Sequence, residues 1–216
     1  MSARDNILNR IRTQSQRTGV TSAEELVDVR AHIAERARGP LPSTARENPL
    51  TRFISECERL KTSVDSVASL NDVPLALASY LRKNTLKMAV VGWPSLSAQN
   101  WAEAGVRFDN RLANANDMVG MTDCFCAIGE TGTLLLLSGA DTPKLHALLP
   151  ETHICIVSQK RIVATMEDAF QLLRQEKGTL PRATFLVSGP SRTADIEQTI
   201  VIGAHGPYRV HVILVP

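Results

Sequence analysis

The amino-acid sequence predicts an α/β protein with a mixed, mostly parallel sheet flanked by helices. From about residue 63 onward, short β-rich runs alternate with helical segments, the clearest of which span residues 75–82 and 167–175. Alternation of this kind is typical of parallel sheets that are covered by helices. The predicted strands are residues 63–68, 86–92, 118–121, 133–137, 154–157, 184–188 and 210–215.

Residues 1–62 are predicted to form a helical extension that precedes an α/β domain of residues 63–216. Apolar residues recur in this extension at helical spacing, and Gly39-Pro40 ends the second of three helices. The residues placed to cap the three helices are Ser2, Thr21 or Ser22, and Asn48. Because the first two helices have a narrow apolar face, we expect them to lie on the surface or against a partner.

Charge and composition exclude several classes of protein. The 216 residues carry a formal net charge of +2, and aromatic residues do not alternate with basic ones, so nucleic acid is not expected as a partner. Apolar runs fall far short of the roughly 20 residues that span a bilayer, so no membrane span is predicted. The N-terminal segment does not resemble a signal peptide, which favours a cytoplasmic protein.

The four cysteines are predicted to be reduced thiols in the interior of the protein. They stand at positions 57, 124, 126 and 155. Cys124 and Cys126 could contribute to a metal site, but the neighbouring sequence supplies no further ligands. A buried free cysteine behaves as a small apolar residue, so neither a metal nor an iron–sulfur cluster is predicted in this chain.

The first candidate motif for a functional site is Gly129-Glu130-Thr131-Gly132-Thr133. Apolar runs flank it on both sides, so the sequence predicts an antiparallel hairpin at this point. Gly132 permits a positive φ or a close backbone approach, while Thr131 and Thr133 offer hydroxyl groups to a ligand. Glu130 could act as a general base or hold a ligand; the alternative is a hairpin turn that needs only its glycine.

The second candidate motif, residues 189–197, follows the predicted strand of residues 184–188. Ligands of open α/β sheets bind at the carboxyl ends of strands, and Arg192 presents a planar fork suited to a carboxylate or phosphate. The alternative is a helix cap with a surface Arg–Asp pair. The candidate ligand-binding residues here are Gly189, Ser191, Arg192, Thr193 and Asp195.

The third candidate motif, Gly203-Ala-His-Gly-Pro207, precedes the last predicted strand. His205 lies between small residues in turning backbone, and histidine titrates near neutral pH, so His205 could act as an acid or base or contact a ligand together with Gly206. The alternative is a structural role, which is the commoner one for a single histidine.

Together the three motifs resemble the LUD-domain family, most closely from residue 118 to the C-terminus. The specific part is the string Gly-Pro-Ser-Arg-Thr-Ala-Asp-Ile-Glu at residues 189–197. The resemblance implies a fold of the NagB/RpiA/CoA-transferase-like type. The sequence departs from the family at residues 124–129, where Cys124, Cys126 and Gly129 replace small, alanine-rich residues.

The resemblance also implies a role in the oxidation of L-lactate to pyruvate, alongside two partner proteins that carry iron–sulfur clusters. This chain would be an accessory or substrate-handling subunit.

The first alternative is a free-standing enzyme in which Arg192 holds a carboxylate or phosphate, Glu130 moves a proton and His205 assists. Its ligand would be of the folate, sugar-phosphate or acyl-CoA type. The second alternative is a ligand sensor that binds a small anionic metabolite without turnover.

Overall fold

The computed structural model describes residues 2–16, 22–41, 43, 47–194 and 198–216. The chain divides into two compact units, Met1–Leu41 and Pro42–Pro216. Within the described residues, no helix combines the length and the apolar character that crossing a membrane requires.

The first unit consists of two exposed helices, α1 (Ala3–Gln14) and α2 (Ala23–Glu35). Ser2 caps α1 and Ser22 caps α2, each in a reciprocal capping box, as the sequence predicts. Thr21, the alternative cap, lies outside the described residues. Neither helix buries any described residue. The apolar side chains exposed on these helices include Ile7, Ile11, Leu26, Val29 and Ile33.

The second unit begins with helix α3 (Pro49–Arg59), which packs into the α/β core. Phe53 and Cys57 of this helix are fully buried against strands of the domain. The α/β unit therefore begins before residue 63, where the sequence analysis places its start. The reason is that α3 has a strongly apolar face that requires a partner, whereas α1 and α2 do not.

Asn48 is the capping residue of α3, and its side-chain oxygen accepts hydrogen bonds from the backbone N–H groups of Leu50 and Thr51 at 3.0 and 3.1 Å. We expect Asn48→Ala to lower the free energy of unfolding of the α/β unit by about 1 kcal/mol, measured by urea denaturation. Ser22→Ala removes the cap of an exposed helix and should leave that transition unchanged. An equal loss in both variants would contradict this prediction.

Among the described residues, the second unit also contains twelve strands and three further α-helices. The strands are β1 (Ser63–Ser66), β2 (Ala89–Gly92), β3 (Arg107–Asp109), β4 (Val119–Asp123), β5 (Cys126–Ile128), β6 (Thr133–Leu137), β7 (Thr152–Ser158), β8 (Ile162–Val163), β9 (Thr184–Val187), β10 (Arg192–Thr193), β11 (Val201–Ile202) and β12 (Arg209–Val215). The helices are α4 (Val73–Lys83), α5 (Leu145–Leu148) and α6 (Met166–Lys177). Every predicted strand and helix overlaps one of these elements, and the predicted α/β class is confirmed.

Six strands form a sheet in the order β1-β12-β7-β4-β2-β3, and all neighbouring pairs are parallel. The predicted antiparallel hairpin is confirmed as β5 and β6. It does not interrupt the parallel sheet, however, but belongs to a second sheet with the order β8-β5-β6-β9. Strands β10 and β11 form a separate antiparallel ribbon. The strands that the sequence pattern missed are β3, β8, β10 and β11, which have two or three residues each, too few for a periodic signal.

The parallel sheet is buried on both faces. Along β12, Val212 and Leu214 pack with α3 and the second sheet, while Ile213 packs with α4 on the opposite face. Strand β7 alternates in the same way, with Cys155 on the α3 side and Ile154 on the α4 side. Burial on both faces explains why these strands are continuous apolar runs in the sequence.

Candidate functional site

The first two sequence motifs meet at a cluster of hydroxyl groups. Thr133 begins β6, and its Oγ1 shares hydrogen bonds with Oγ1 of Thr131 and Oγ of Ser188, both at 2.7 Å. Ser188 directly precedes Gly189, the first residue of the second motif. Strand β9 pairs with β6 in antiparallel order, so the end of β9 lies beside the hairpin turn.

The second and third motifs are joined through their backbones. The Ser191 N–H donates to the Pro207 carbonyl, and the Gly203 N–H donates to the Ser191 carbonyl, both at 2.9 Å. A Cβ at Gly206 would lie 3.3 Å from Cβ of Ser191, so the chain segments are in close contact. The structure thus brings Gly189, Ser191 and Gly206 into one region, which the sequence spacing alone does not imply.

Helix α3 supports the first and the second motif, each at a position where only glycine fits. Gly132 has φ +61°, and a Cβ there would lie 2.8 Å from Cβ of Glu56. Gly189 has φ +82°, and a Cβ there would lie 3.0 Å from both Cβ and the carbonyl oxygen of Leu60. These glycines therefore combine a left-handed backbone with close packing, Gly132 against α3 itself and Gly189 against its C-cap residue.

Arg192 lies at a different edge of the protein from the one that the sequence analysis assumes. The prediction treats the strand before it as part of the parallel sheet, but β9 belongs to the second sheet. Arg192 instead lines a cavity beside the first residues of β1 and β12, which are Ser63 and Arg209. We call this the amino-edge cavity. The rule that ligands bind at the carboxyl ends of parallel strands therefore does not apply to Arg192.

The amino-edge cavity has a volume of about 560 Å³ and a basic lining. Among its described lining residues, four cations accompany a single carboxylate, that of Asp65. The cationic side chains are those of Lys61, Lys83, Arg192 and Arg209. The guanidinium of Arg192 donates from Nη2 to the Leu60 carbonyl at 2.7 Å, which holds the side chain in place. This charge balance favours an anionic ligand.

A histidine on the wall of this cavity contacts a serine and a carboxylate. His211 Nδ1 lies 2.8 Å from Ser63 Oγ, and its Nε2 lies 3.6 Å from Asp65 Oδ2. The ring of Tyr80 stacks on the imidazole at 4.0 Å between centroids. Burial lowers the pKa of His211 to about 4, although Asp65 acts in the opposite direction. His211 is therefore neutral near pH 7, and its Nδ1 shares a hydrogen bond with the Ser63 hydroxyl group.

The surroundings of Glu130 and His205 differ from those of Arg192 in the amino-edge cavity. Glu130 is half-buried, and its Oε2 accepts a long hydrogen bond from the Met166 N–H at 3.4 Å, at the first residue of α6. His205 is exposed in the loop between β11 and β12. Thr193 pairs with Val201 in the two-stranded ribbon, and Asp195 lies outside the described residues. Glu130 and His205 are absent from the described lining of the amino-edge cavity, so their predicted chemical roles stay predictions.

A second cavity, of about 480 Å³, lies at the carboxyl ends of β2 and β4. Trp93 directly follows β2 and Asp123 is the last residue of β4. Burial raises the pKa of Asp123, while a 3.3 Å hydrogen bond from Ser95 Oγ acts against the shift. We call this the carboxyl-edge cavity. None of the three sequence motifs predicts this cavity, although an acidic residue at the end of an apolar strand was a signal that could have pointed to Asp123.

The cysteines are free thiols in the described structure. Burial raises the pKa of Cys57 and of Cys126 to about 12, and both groups are therefore protonated at neutral pH. The pKa of Cys124 is raised as well, first by its hydrogen bond with Cys155 and then by burial. Across the described part of the chain, no three histidine, cysteine or acidic side chains converge as a set of metal ligands.

The profile of the LUD domain matches residues 50–215 of the chain. The chain belongs to the LUD-domain family. The match begins within α3 and extends into β12, so the LUD domain includes the helix that supports two of the sequence motifs. The resemblance drawn from those motifs is confirmed.

Several relatives of this LUD domain have known names. It is 36% identical over 129 residues to lactate utilization protein C of Bacillus subtilis, covering 57% of this chain and 53% of that protein. Lactate utilization protein C of Bacillus licheniformis is 35% identical with the same coverage. The matched segment therefore spans about half the length of these relatives. A crystal structure of a DUF162 family protein from Deinococcus radiodurans superposes with a TM-score of 0.56 at 25% identity, covering 82% of this chain and all of that one.

Proposed function

We propose that this LUD domain serves lactate utilization as an accessory, substrate-handling subunit that binds a small carboxylate in the amino-edge cavity. Two considerations support the proposal. The relatives described above are named lactate utilization protein C. Arg192, from the most specific sequence motif, lines a cavity with four cationic side chains and one acidic side chain among its described lining residues.

The geometry of Arg192 is the observation that carries the proposal. Its bond to the Leu60 carbonyl uses one of the five N–H donors of the guanidinium and orients the planar group beside the cavity. The remaining donors suit a carboxylate, which accepts two parallel hydrogen bonds from such a fork. Arg209 also lines the cavity, with its guanidinium 5.0 Å from the Tyr208 ring centroid, and adds positive charge.

A titration of the purified protein with L-lactate tests the binding step. We expect saturable binding by calorimetry, and we expect Arg192→Gln to weaken it by about tenfold or more, because hydrogen bonds to charged groups contribute about 1.5–3 kcal/mol. Arg182→Gln changes an exposed arginine outside the cavity lining and is the matched control. Equal affinities in the two variants would refute the role of Arg192.

The proposal also includes assembly with two proteins that carry iron–sulfur clusters. Such partners would supply the electron-transfer centres for lactate oxidation, while this chain would bind and present the substrate. Affinity capture of the full chain should retain both proteins, and deletion of its gene should abolish growth on L-lactate. Capture of neither partner, together with unimpaired growth of the deletion strain, would rule out the subunit role.

A second candidate function is a free-standing enzyme that uses the same cavity. The observation that favours it is the contact of neutral His211 with Ser63 and Asp65, which provides a proton acceptor beside the basic lining. A screen of carboxylated and phosphorylated metabolites with the isolated chain distinguishes the two candidates. Turnover without any partner, lost in His211→Asn, would favour the enzyme over the subunit.

A further inference from the structure

The carboxyl-edge cavity lies at the point where the strand order of the parallel sheet reverses. From β2 the chain runs outward to β3 at one edge, and then returns to place β4 on the other side of β2. Strands β7 and β12 continue in that opposite direction. In open α/β sheets, the crevice outside the carboxyl ends of the strands at such a point is where ligands bind. Trp93 and Asp123, at the ends of β2 and β4, line this crevice.

The chemistry of this cavity differs from that of the amino-edge cavity. Its described lining contains one carboxylate, that of Asp123, and one ammonium, that of Lys177 on the exposed end of α6. The Asp123 side chain is half-buried, and it accepts a hydrogen bond from Ser95 Oγ at 3.3 Å. A carboxylate in this setting is stabilised by a ligand that supplies N–H donors or positive charge.

The walls of the cavity combine polar and apolar groups, and part of the apolar lining is held rigidly. The indole N–H of Trp93 donates to the Pro143 carbonyl at 3.0 Å, which fixes the ring next to the end of β2. The Arg161 guanidinium covers the Phe125 ring at 4.6 Å and holds it in place. Leu180 also lines the cavity, although 65% of its surface is exposed, so an apolar side chain faces solvent here without a covering element. Such a surface gains stability when an apolar ligand covers it.

We propose that the carboxyl-edge cavity is a second ligand site, which takes an organic molecule with an apolar ring and a cationic or N–H-bearing edge directed at Asp123. An amidine or an amino-substituted heteroaromatic ring has this chemistry, since two adjacent N–H groups match the two oxygens of a carboxylate. The site is distinct from the amino-edge cavity in residues and in charge, so it does not depend on the proposed function.

The probe p-aminobenzamidine tests the site because it combines a phenyl ring with an amidinium group and its fluorescence responds to an apolar environment. With the full-length protein we expect a saturable fluorescence increase. Asp123→Asn keeps the size of the side chain and removes its charge, and it should weaken the affinity by about tenfold or more. Asp141→Asn removes one charge from an exposed aspartate that does not line the cavity, and it should bind the probe as the unmodified protein does.

Three further measurements serve as controls for the probe titration. Thermal unfolding of Asp123→Asn establishes that the variant is folded, and Leu180→Ser removes part of the apolar wall at an exposed position and should weaken binding of the probe several-fold. Arg192→Gln should leave the affinity for p-aminobenzamidine unchanged, whatever its effect on lactate. Absence of saturable binding to the unmodified protein, or equal affinities in Asp123→Asn and Asp141→Asn, would overturn the proposal.

Discussion

Gly120→Ala is expected to destabilise the α/β unit by about 3 kcal/mol or more, because the added methyl group has no space. A Cβ at Gly120 would lie 2.0 Å from the carbonyl oxygen of His146 and 2.8 Å from Cγ of Pro150. Gly120 is in β4 at the centre of the parallel sheet, and α5 packs directly on this strand. The obstacle is backbone rather than a flexible side chain, so relief requires α5 to move away from the sheet.

Thermal unfolding and urea denaturation measure this loss directly. A loss of about 3 kcal/mol corresponds to a decrease in Tm of roughly 6–12 °C for a domain of this size. Gly39→Ala is the matched control, since a Cβ there meets nothing within 4 Å and its backbone is not left-handed. A Tm for Gly120→Ala within about 2 °C of the parent, or an equal decrease in both variants, would show that α5 does not pack on β4 as described.

Acidification is expected to destabilise the folded protein between about pH 6.5 and pH 4, and His153 is one of two main causes. Its side chain is fully buried on β7, where Nε2 lies 2.9 Å from Oγ1 of Thr122. Burial, with a smaller effect of nearby His146, lowers the pKa of His153 to about 4. The unfolded chain takes up the proton near pH 6.5 and the folded protein does not, so stability falls as the pH decreases through this interval.

The expected size of the effect follows from the shift in pKa. A difference of one unit corresponds to about 1.4 kcal/mol, so His153 accounts for a loss of about 3 kcal/mol by pH 4. His211 has a similarly lowered pKa and adds a loss in the same direction. Asp123 acts in the opposite sense, because its raised pKa means that the folded state binds that proton more tightly.

A comparison of variants isolates the contribution of His153 from the other groups. His153→Gln retains a hydrogen-bonding group near Thr122 but cannot take up a proton, so the dependence of unfolding free energy on pH should flatten by about one proton between pH 4.5 and 6. His205→Gln changes an exposed histidine and should retain the slope of the parent. Parallel slopes in all three proteins would mean that His153 titrates normally in the folded state.

The candidate site was only partly predictable from its residues. The three motifs were identified from glycines, hydroxyl groups and Arg192, and contacts such as that of Thr133 with Ser188 join them in the structure. Ser63 and His211 carried no comparable signal. Their chemistry depends on neighbours that are distant in sequence, since Ser63 and His211 are 148 positions apart and meet only because β1 pairs with β12.

Local sequence patterns determined the α/β class, the positions of the longer strands and the caps of the helices. The physical reason is that periodicity, capping and turn chemistry act within a few residues. Long-range packing decided which sheet each strand joins, and therefore placed β9 beside β6 instead of in the parallel sheet. It also decided that Arg192 lies at the amino edge and Asp123 at the carboxyl edge, because strand pairing and burial against α3 depend on the whole chain.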